Sequence, residues 1–165
     1  QKMNTPKRYH PILVTLHWLT VIFMLGAGFL SEEGGNSPIN FHMILGALLL
    51  IVMVARLITR FSTARPAALD AGNAFFNKIG ELTHLGLYAV AFAILGMGGA
   101  IAVKRNLFGY LMDNTAQISR AGFLGDVHHL FYLMAMALIF LHVGAALYHQ
   151  FMLKDNILSR MWYGK

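Results

Sequence analysis

The sequence predicts an all-α protein, a transmembrane antiparallel four-helix bundle, and three observations carry that expectation. Of its 165 residues 57% are hydrophobic and only 12% are charged, where an ordinary soluble domain has about 25% charged residues. Four stretches contain no Asp, Glu, Lys or Arg: Tyr9 to Ser31, Gly34 to Ala55, Leu82 to Val103 and Val127 to Leu153, or 23, 22, 22 and 27 positions. Each is long enough, since roughly 20 apolar helical residues cross a hydrocarbon core. The separators are short and hold the charges. A single domain over residues 1–165 is expected, with spans at about 9–31, 38–60, 79–103 and 127–153.

The first span follows Lys7-Arg8 and ends at Glu32-Glu33-Gly34-Gly35, where glycines break the helix and carboxylates stay out of lipid. A signal peptide shares the pattern of bases before an apolar run. This run is too long, lacks a small-x-small cleavage site before Glu32 and contains His17-Trp18, so it is read as a span. The second span closes at Arg56-Leu57-Ile58-Thr59-Arg60 and the third before Lys104-Arg105. Between the third and fourth, Gly109 and Asp113-Asn114-Thr115 suggest turns or a short surface helix. The side that both termini share holds 10 of the 13 bases, namely Lys2, Lys7, Arg8, Arg56, Arg60, Arg65, Lys78, Lys154, Arg160 and Lys165. By the positive-inside rule that side is cytoplasmic. Lys104, Arg105 and Arg120 lie outside.

The absence of cysteine removes disulfides, thiolate-bound zinc, iron–sulfur clusters and covalently attached c-type haem. A net charge of +6 would suit nucleic acid, but the bases interleave with apolar runs, so membrane lipid is the expected partner and no nucleic acid is.

Chemistry is concentrated in the eight histidines. His17 lies in the first span, His42 near the outer start of the second, His84 near the inner start of the third, and His128, His129, His142 and His149 in the fourth. Any one alone suits helix packing through a hydrogen bond to a neighbouring carbonyl. Spacing adds more. His128 and His142 are 14 residues apart, on nearly the same helix face and separated by about 21 Å of rise. Each therefore needs its own partner at its own depth. His17 and His142, 9 and 12 residues inside Arg8 and Lys154, form an inner tier, and His42 with His128 an outer one. Paired imidazoles without Cys suit two b-type haems, with the haem irons as the metals. A zinc or copper site is the weaker alternative, because tetrahedral sites want more ligands. Gly46-Ala47 and Gly144-Ala145-Ala146 leave room for a flat ring, or for close helix packing.

The order and spacing of Leu16-His17-Trp18-Leu19, His42, Val54-Ala55-Arg56-Leu57, His128, Leu141-His142, Ala145-Ala146-Leu147, His149 and Lys154-Asp155-Asn156 resemble the bacterial cytochrome b561 family over essentially the whole chain. These are small four-span di-haem membrane cytochromes that include superoxide oxidase. The resemblance implies haem ligation by His17 with His142 and by His42 with His128, matching the depth tiers, and a place in the bacterial inner membrane. It also implies electron flow from an external donor, superoxide or a protein, through both haems to ubiquinone or another quinone near the cytoplasmic face. His149 and then His84 are the candidates for contacting the quinone. Lys104, Arg105 and Arg120 are candidates for steering an anionic donor. Two alternatives stand beside this: a cytochrome b subunit of a larger dehydrogenase or hydrogenase-type complex, and a haem-free, His-lined proton or metal transporter.

Overall fold

A computed structural model of the chain describes residues 5–30 and 40–164. Glu32, Glu33, Gly34, Gly35 and the expected start of the second span at 38 lie outside the described residues. The described residues form helices and no strand: α1 (Pro11–Phe29), α2 (Phe41–Ser62), α3 (Ala74–Lys104), the short α4 (Leu107–Met112) and α5 (Phe123–Tyr148), which continues as a π-helical turn over His149–Leu153 and is followed by a 3-10 turn at Ile157–Met161. Four of these helices are long and apolar enough to cross a membrane. Lipid offers a backbone no water to bond, so a helix that closes its own hydrogen bonds is the form such segments take.

Polar caps set where each helix begins. His10 Nδ1 accepts from the Ile12 amide at 3.2 Å, with Pro11 supplying the preset first turn of α1. Asn40 accepts from the Met43 amide at 3.2 Å and Asn73 from the Phe76 amide at 2.9 Å. The Asn73 cap starts α3 five residues before the expected 79. That early turn is wet, and Lys78 meets Glu81 there at 3.0 Å with both side chains exposed. The charge-free stretch is the apolar part of a helix whose start is set earlier by its cap.

The helices lie in two closely packed pairs, α1 on α2 and α3 on α5, joined mainly through α3. Leu49, Met53 and Ala91 form one core cluster with Phe23, Met24, Tyr88, Phe92 and Leu95 against it; Val90, Ile94 and Ala135 form another with Phe131 and Leu138. Large apolar side chains such as Ile22, Ile51 and Phe140 point outward, as a lipid-facing surface requires. The least buried of the four long helices is α5. Glycine permits close approach at two seams: a Cβ on Gly28 would stand 3.1 Å from Tyr132, and one on Gly86 3.3 Å from Leu138.

Both ends of the chain meet on one face of the bundle. Arg8 donates to the Ser159 carbonyl at 2.7 Å, the Tyr9 amide to the Arg160 carbonyl at 3.2 Å, and Trp18 Nε1 to the Met161 carbonyl at 2.9 Å. Arg160 also reaches across to the Ala67 carbonyl at 2.5 Å. At the opposite face the loop before α5 is stapled by its bases. Lys104 donates to the Ala121 carbonyl at 3.0 Å and Arg105 to the Ser119 carbonyl at 3.2 Å, while the Ser119 hydroxyl bonds the Lys104 carbonyl at 2.5 Å. Asp113 accepts from the Thr115 amide and hydroxyl, which hold its carboxyl below the ordinary carboxylate range. The short helix expected from Gly109 and Asp113 is α4, with Phe108, Leu111 and Met112 exposed along it.

Gly86→Val should force α3 and α5 apart and lower stability by about 1–3 kcal/mol. Gly80→Ala has no atom within 4 Å of the new methyl and should be neutral or stabilising by up to about 1 kcal/mol. Thermal unfolding of both variants in detergent checks the contrast.

Candidate functional site

An imidazole within hydrocarbon must find its partner inside the bundle. Two ring pairs bridge the two helix pairs. At the end expected to be outer, away from the chain termini, His42 in the first turn of α2 faces His128 of α5 with ring centroids 6.0 Å apart and planes at 87°. At the end expected to be inner His17 of α1 faces His142 of α5 at 6.3 Å and 57°. Two in-line metal–imidazole bonds of about 2.0–2.1 Å, plus the reach from each nitrogen to its ring centre, separate the centroids of two axial ligands by roughly 6 Å. Both pairs have that separation.

At the outer tier His42 Nδ1 donates to the Ala27 carbonyl at 2.6 Å, because a carbonyl only accepts. In the neutral ring this leaves Nε2 with a bare lone pair, the form a metal binds. Beside His128 there is room in α3 at Gly98, where an added Cβ would stand 3.5 Å from the ring. Open space surrounds the Cβ positions of Gly46 and Gly144 out to 4 Å. His129 instead stacks near Tyr132 at 6.0 Å and 32°.

The inner tier holds a third ring. His84 of α3 lies 5.2 Å from His142, and it also lines a cavity of about 550 Å³ with Tyr9, Arg60, Thr63 and Arg65. The edge of Trp18 packs on His17 at 5.1 Å. Arg56 Nη2 donates to His17 Nδ1 at 3.3 Å, which places the proton of a neutral His17 ring on Nε2. Ligation through Nε2 therefore requires Arg56 to release that bond.

Among the described residues two buried side-chain nitrogens lack a hydrogen-bond partner, His128 Nδ1 and Arg56 Nε. Buried polar groups are nearly always satisfied, and these two orphans fall one in each tier. No three His, Asp or Glu side chains converge as a metal cluster among the described residues. Pairs of imidazoles, orphaned polar atoms beside them and open glycine positions fit a flat cofactor with two axial bonds better than a tetrahedral ion.

His149 begins the π-helical turn that ends α5, and its Nδ1 donates to Asp155 Oδ2 at 2.5 Å. The partner stands only six residues further along the chain. Lys154 and Asn156, both with positive φ, turn the chain sharply after the helix and return Asp155 to the ring. The pair is largely buried, with side chains 13% and 19% exposed. The structure thus places His84 at the inner pair and His149 in a separate carboxylate dyad. Of the external bases, Lys104 and Arg105 are bonded to loop carbonyls, whereas Arg120 is exposed.

Sequence reasoning missed Arg56, Tyr88 and Asp155 as parts of these sites. Arg56 looked like a helix-ending charge, but α2 continues to Ser62 and carries it against His17. Tyr88 offered no signal within an apolar run, and its ring lies under the guanidinium groups of Arg56 and Arg60 at 5.2 and 5.4 Å.

Residues 8–164 match the family described as prokaryotic cytochrome b561. The chain is 31% identical over 176 aligned positions to "Cytochrome b561 homolog 2" of Escherichia coli K12, covering 96% of this chain and 93% of that protein. It is 27% identical to "Probable superoxide oxidase CybB" of Yersinia pestis (94% and 96% covered) and 26% identical to "Cytochrome b561 homolog 1" of E. coli K12 (93% and 96%). Four apolar helices, with imidazole pairs at both ends of the bundle and a match over nearly the whole length, place this chain in the prokaryotic cytochrome b561 family.

Proposed function

We propose that this protein is a di-haem b-type cytochrome that passes electrons from an external donor, superoxide foremost, to quinone near the cytoplasmic face. Family membership brings b-type haem and electron transport in a bacterial membrane. It also weighs against the haem-free transporter alternative. The observation that carries the two-haem reading is the pair of facing imidazoles at each end of the bundle, 6.0 and 6.3 Å apart. Their α5 members are separated by about 21 Å of helix rise. Superoxide is supported by the name of the Yersinia relative and by the basic external loop. The balanced reaction takes two superoxide ions to two dioxygen molecules, and the two electrons with two protons convert quinone to quinol.

When bound, haem supplies one-electron transfer, and the protein sets its ligation, depth and field. His42 and His128 would hold the outer haem and His17 and His142 the inner one. The proton chemistry falls to His149. With Nδ1–H fixed on Asp155, Nε2 takes up a proton from the cytoplasmic side, donates it in a hydrogen bond to a quinone carbonyl and passes it on, while the Asp155 carboxylate balances the charge of the doubly protonated ring. On the outer face Arg120 is the base most suited to attracting an anion, since Lys104 and Arg105 also hold the loop together.

A pyridine haemochrome assay should find two haems per chain, with a low-spin bis-histidine spectrum. His42→Ala and His128→Ala should each remove one haem and leave the other. One haem in the unsubstituted protein, or loss of both in each variant, counts against the two-tier assignment.

His149→Ala should retain both haems and slow quinone reduction roughly 10²–10⁴-fold. Asp155→Asn should fall between that variant and the parent. Stopped-flow reoxidation of the reduced haems by quinone measures this, and an unchanged rate in both would return His149 to a packing role.

Arg120→Ser should slow reduction of the haems by superoxide roughly two- to fivefold at low ionic strength. The difference should close in salt, as charges more than about 8 Å apart are screened at physiological ionic strength. A rate indifferent to both changes favours a protein donor docked on the external loop, as in a cytochrome subunit of a larger complex.

A further inference from the structure

Arg56 is half-buried beside the His17–His142 pair and bonds His17 directly. Its guanidinium lies over the Tyr88 ring at 5.2 Å, and Arg60, one turn further along α2, lies over the same ring at 5.4 Å. Two like charges on one aromatic ring are unfavourable inside a bundle unless an anion joins them. The described residues provide none: their only ion pairs are Lys78–Glu81 and His149–Asp155. Arg56 Nε is buried without a hydrogen-bond partner, and one terminal nitrogen is spent on His17 Nδ1. The planar fork of arginine is shaped to bond both oxygens of a carboxylate at once. Arg60 also opens into the 550 Å³ cavity shared with Tyr9, Thr63, Arg65 and His84, so space for an acidic group lies beside the pair.

We propose that Arg56, assisted by Arg60, binds a carboxylate side chain of the inner haem and serves as that haem's positioning residue. This rests on the proposed inner haem between His17 and His142. Haem b carries two carboxylate side chains, which match the two arginines in charge. A carboxylate that draws Arg56 away also frees Nδ1 of His17, so that the ring can turn its lone pair on Nε2 toward the iron. Arg56 thus couples docking of the acidic edge of the cofactor to readiness of its axial ligand. A positive charge beside the ring favours the reduced state and raises the reduction potential.

The test is a spectroscopic redox titration of the purified holoprotein, with the inner haem identified by its loss in His17→Ala. Arg56→Gln should shift the inner midpoint to lower potential and leave the outer one in place. Arg56→Lys should keep most of the potential but release the inner haem more readily on gel filtration, because the ammonium keeps the charge and loses the fork. Should Arg56→Gln not fold, Arg60→Gln should show a smaller shift in the same direction. Two haems in the parent with an inner midpoint unmoved in these variants would overturn the carboxylate assignment alone. A parent with one haem, lost in His42→Ala, would overturn this assignment together with the inner-haem reading.

Discussion

A polar ring in hydrocarbon has no water to bond, and the arrangement of this bundle follows from where its imidazoles find partners. Most close contacts lie within the helix pairs α1/α2 and α3/α5, and Leu49 and Met53 of α2 packed on Ala91 of α3 join one pair to the other. The facing histidines join one pair to the other: α2 to α5 at the outer end and α1 to α5 at the inner. Lipid tails are as apolar as leucine, so hydrophobic burial does little to draw membrane helices together, and polar bridges and close packing at small residues gain weight.

That division explains the exposure of α5. With its π-helical continuation it carries four of the eight histidines, yet it is the least buried of the four long helices. A helix packed tightly on all its neighbours would leave no space beside imidazoles at two heights. Here α5 is anchored on α3 through Ala135 and Leu138 against Val90 and Ile94, leaving the faces of His128 and His142 toward α2 and α1. Gly98 of α3 lets the His128 ring lie close to the backbone there.

The two faces of the bundle differ in how their charges are used. On the face that gathers the chain ends, Arg8 and Arg160 bond carbonyls and close the C-terminal segment against α1, while Arg56 and Arg60 converge on Tyr88 without an acidic partner among the described residues. On the opposite face Lys104 and Arg105 bind carbonyls of the loop before α5. A base that bonds backbone carbonyls keeps its charge but is fixed in place by the loop it holds, whereas charge gathered beside a titratable group alters what that group does. His149 with Asp155 belongs to the second kind. A carboxylate fixed on Nδ1 orients the ring and leaves its other nitrogen for chemistry.

The sequence by itself determined the helical class, the four long apolar helices and the height of each histidine along its helix. These depend on hydrocarbon thickness and a fixed rise per residue, and both are local properties that a linear count captures. His17 with His142 and His42 with His128 were legible as pairs for the same reason: depth alone sorts them. Lateral position was decided only by the tertiary structure, because rotation and tilt come from packing between distant segments. Thus His84 turned out to lie on His142, Arg56 to lie inside α2 against His17, and Asp155 to fold back onto His149 through two residues of positive φ. A count along one helix gives the height of a side chain, but which neighbour it meets there depends on how three other helices turn their faces.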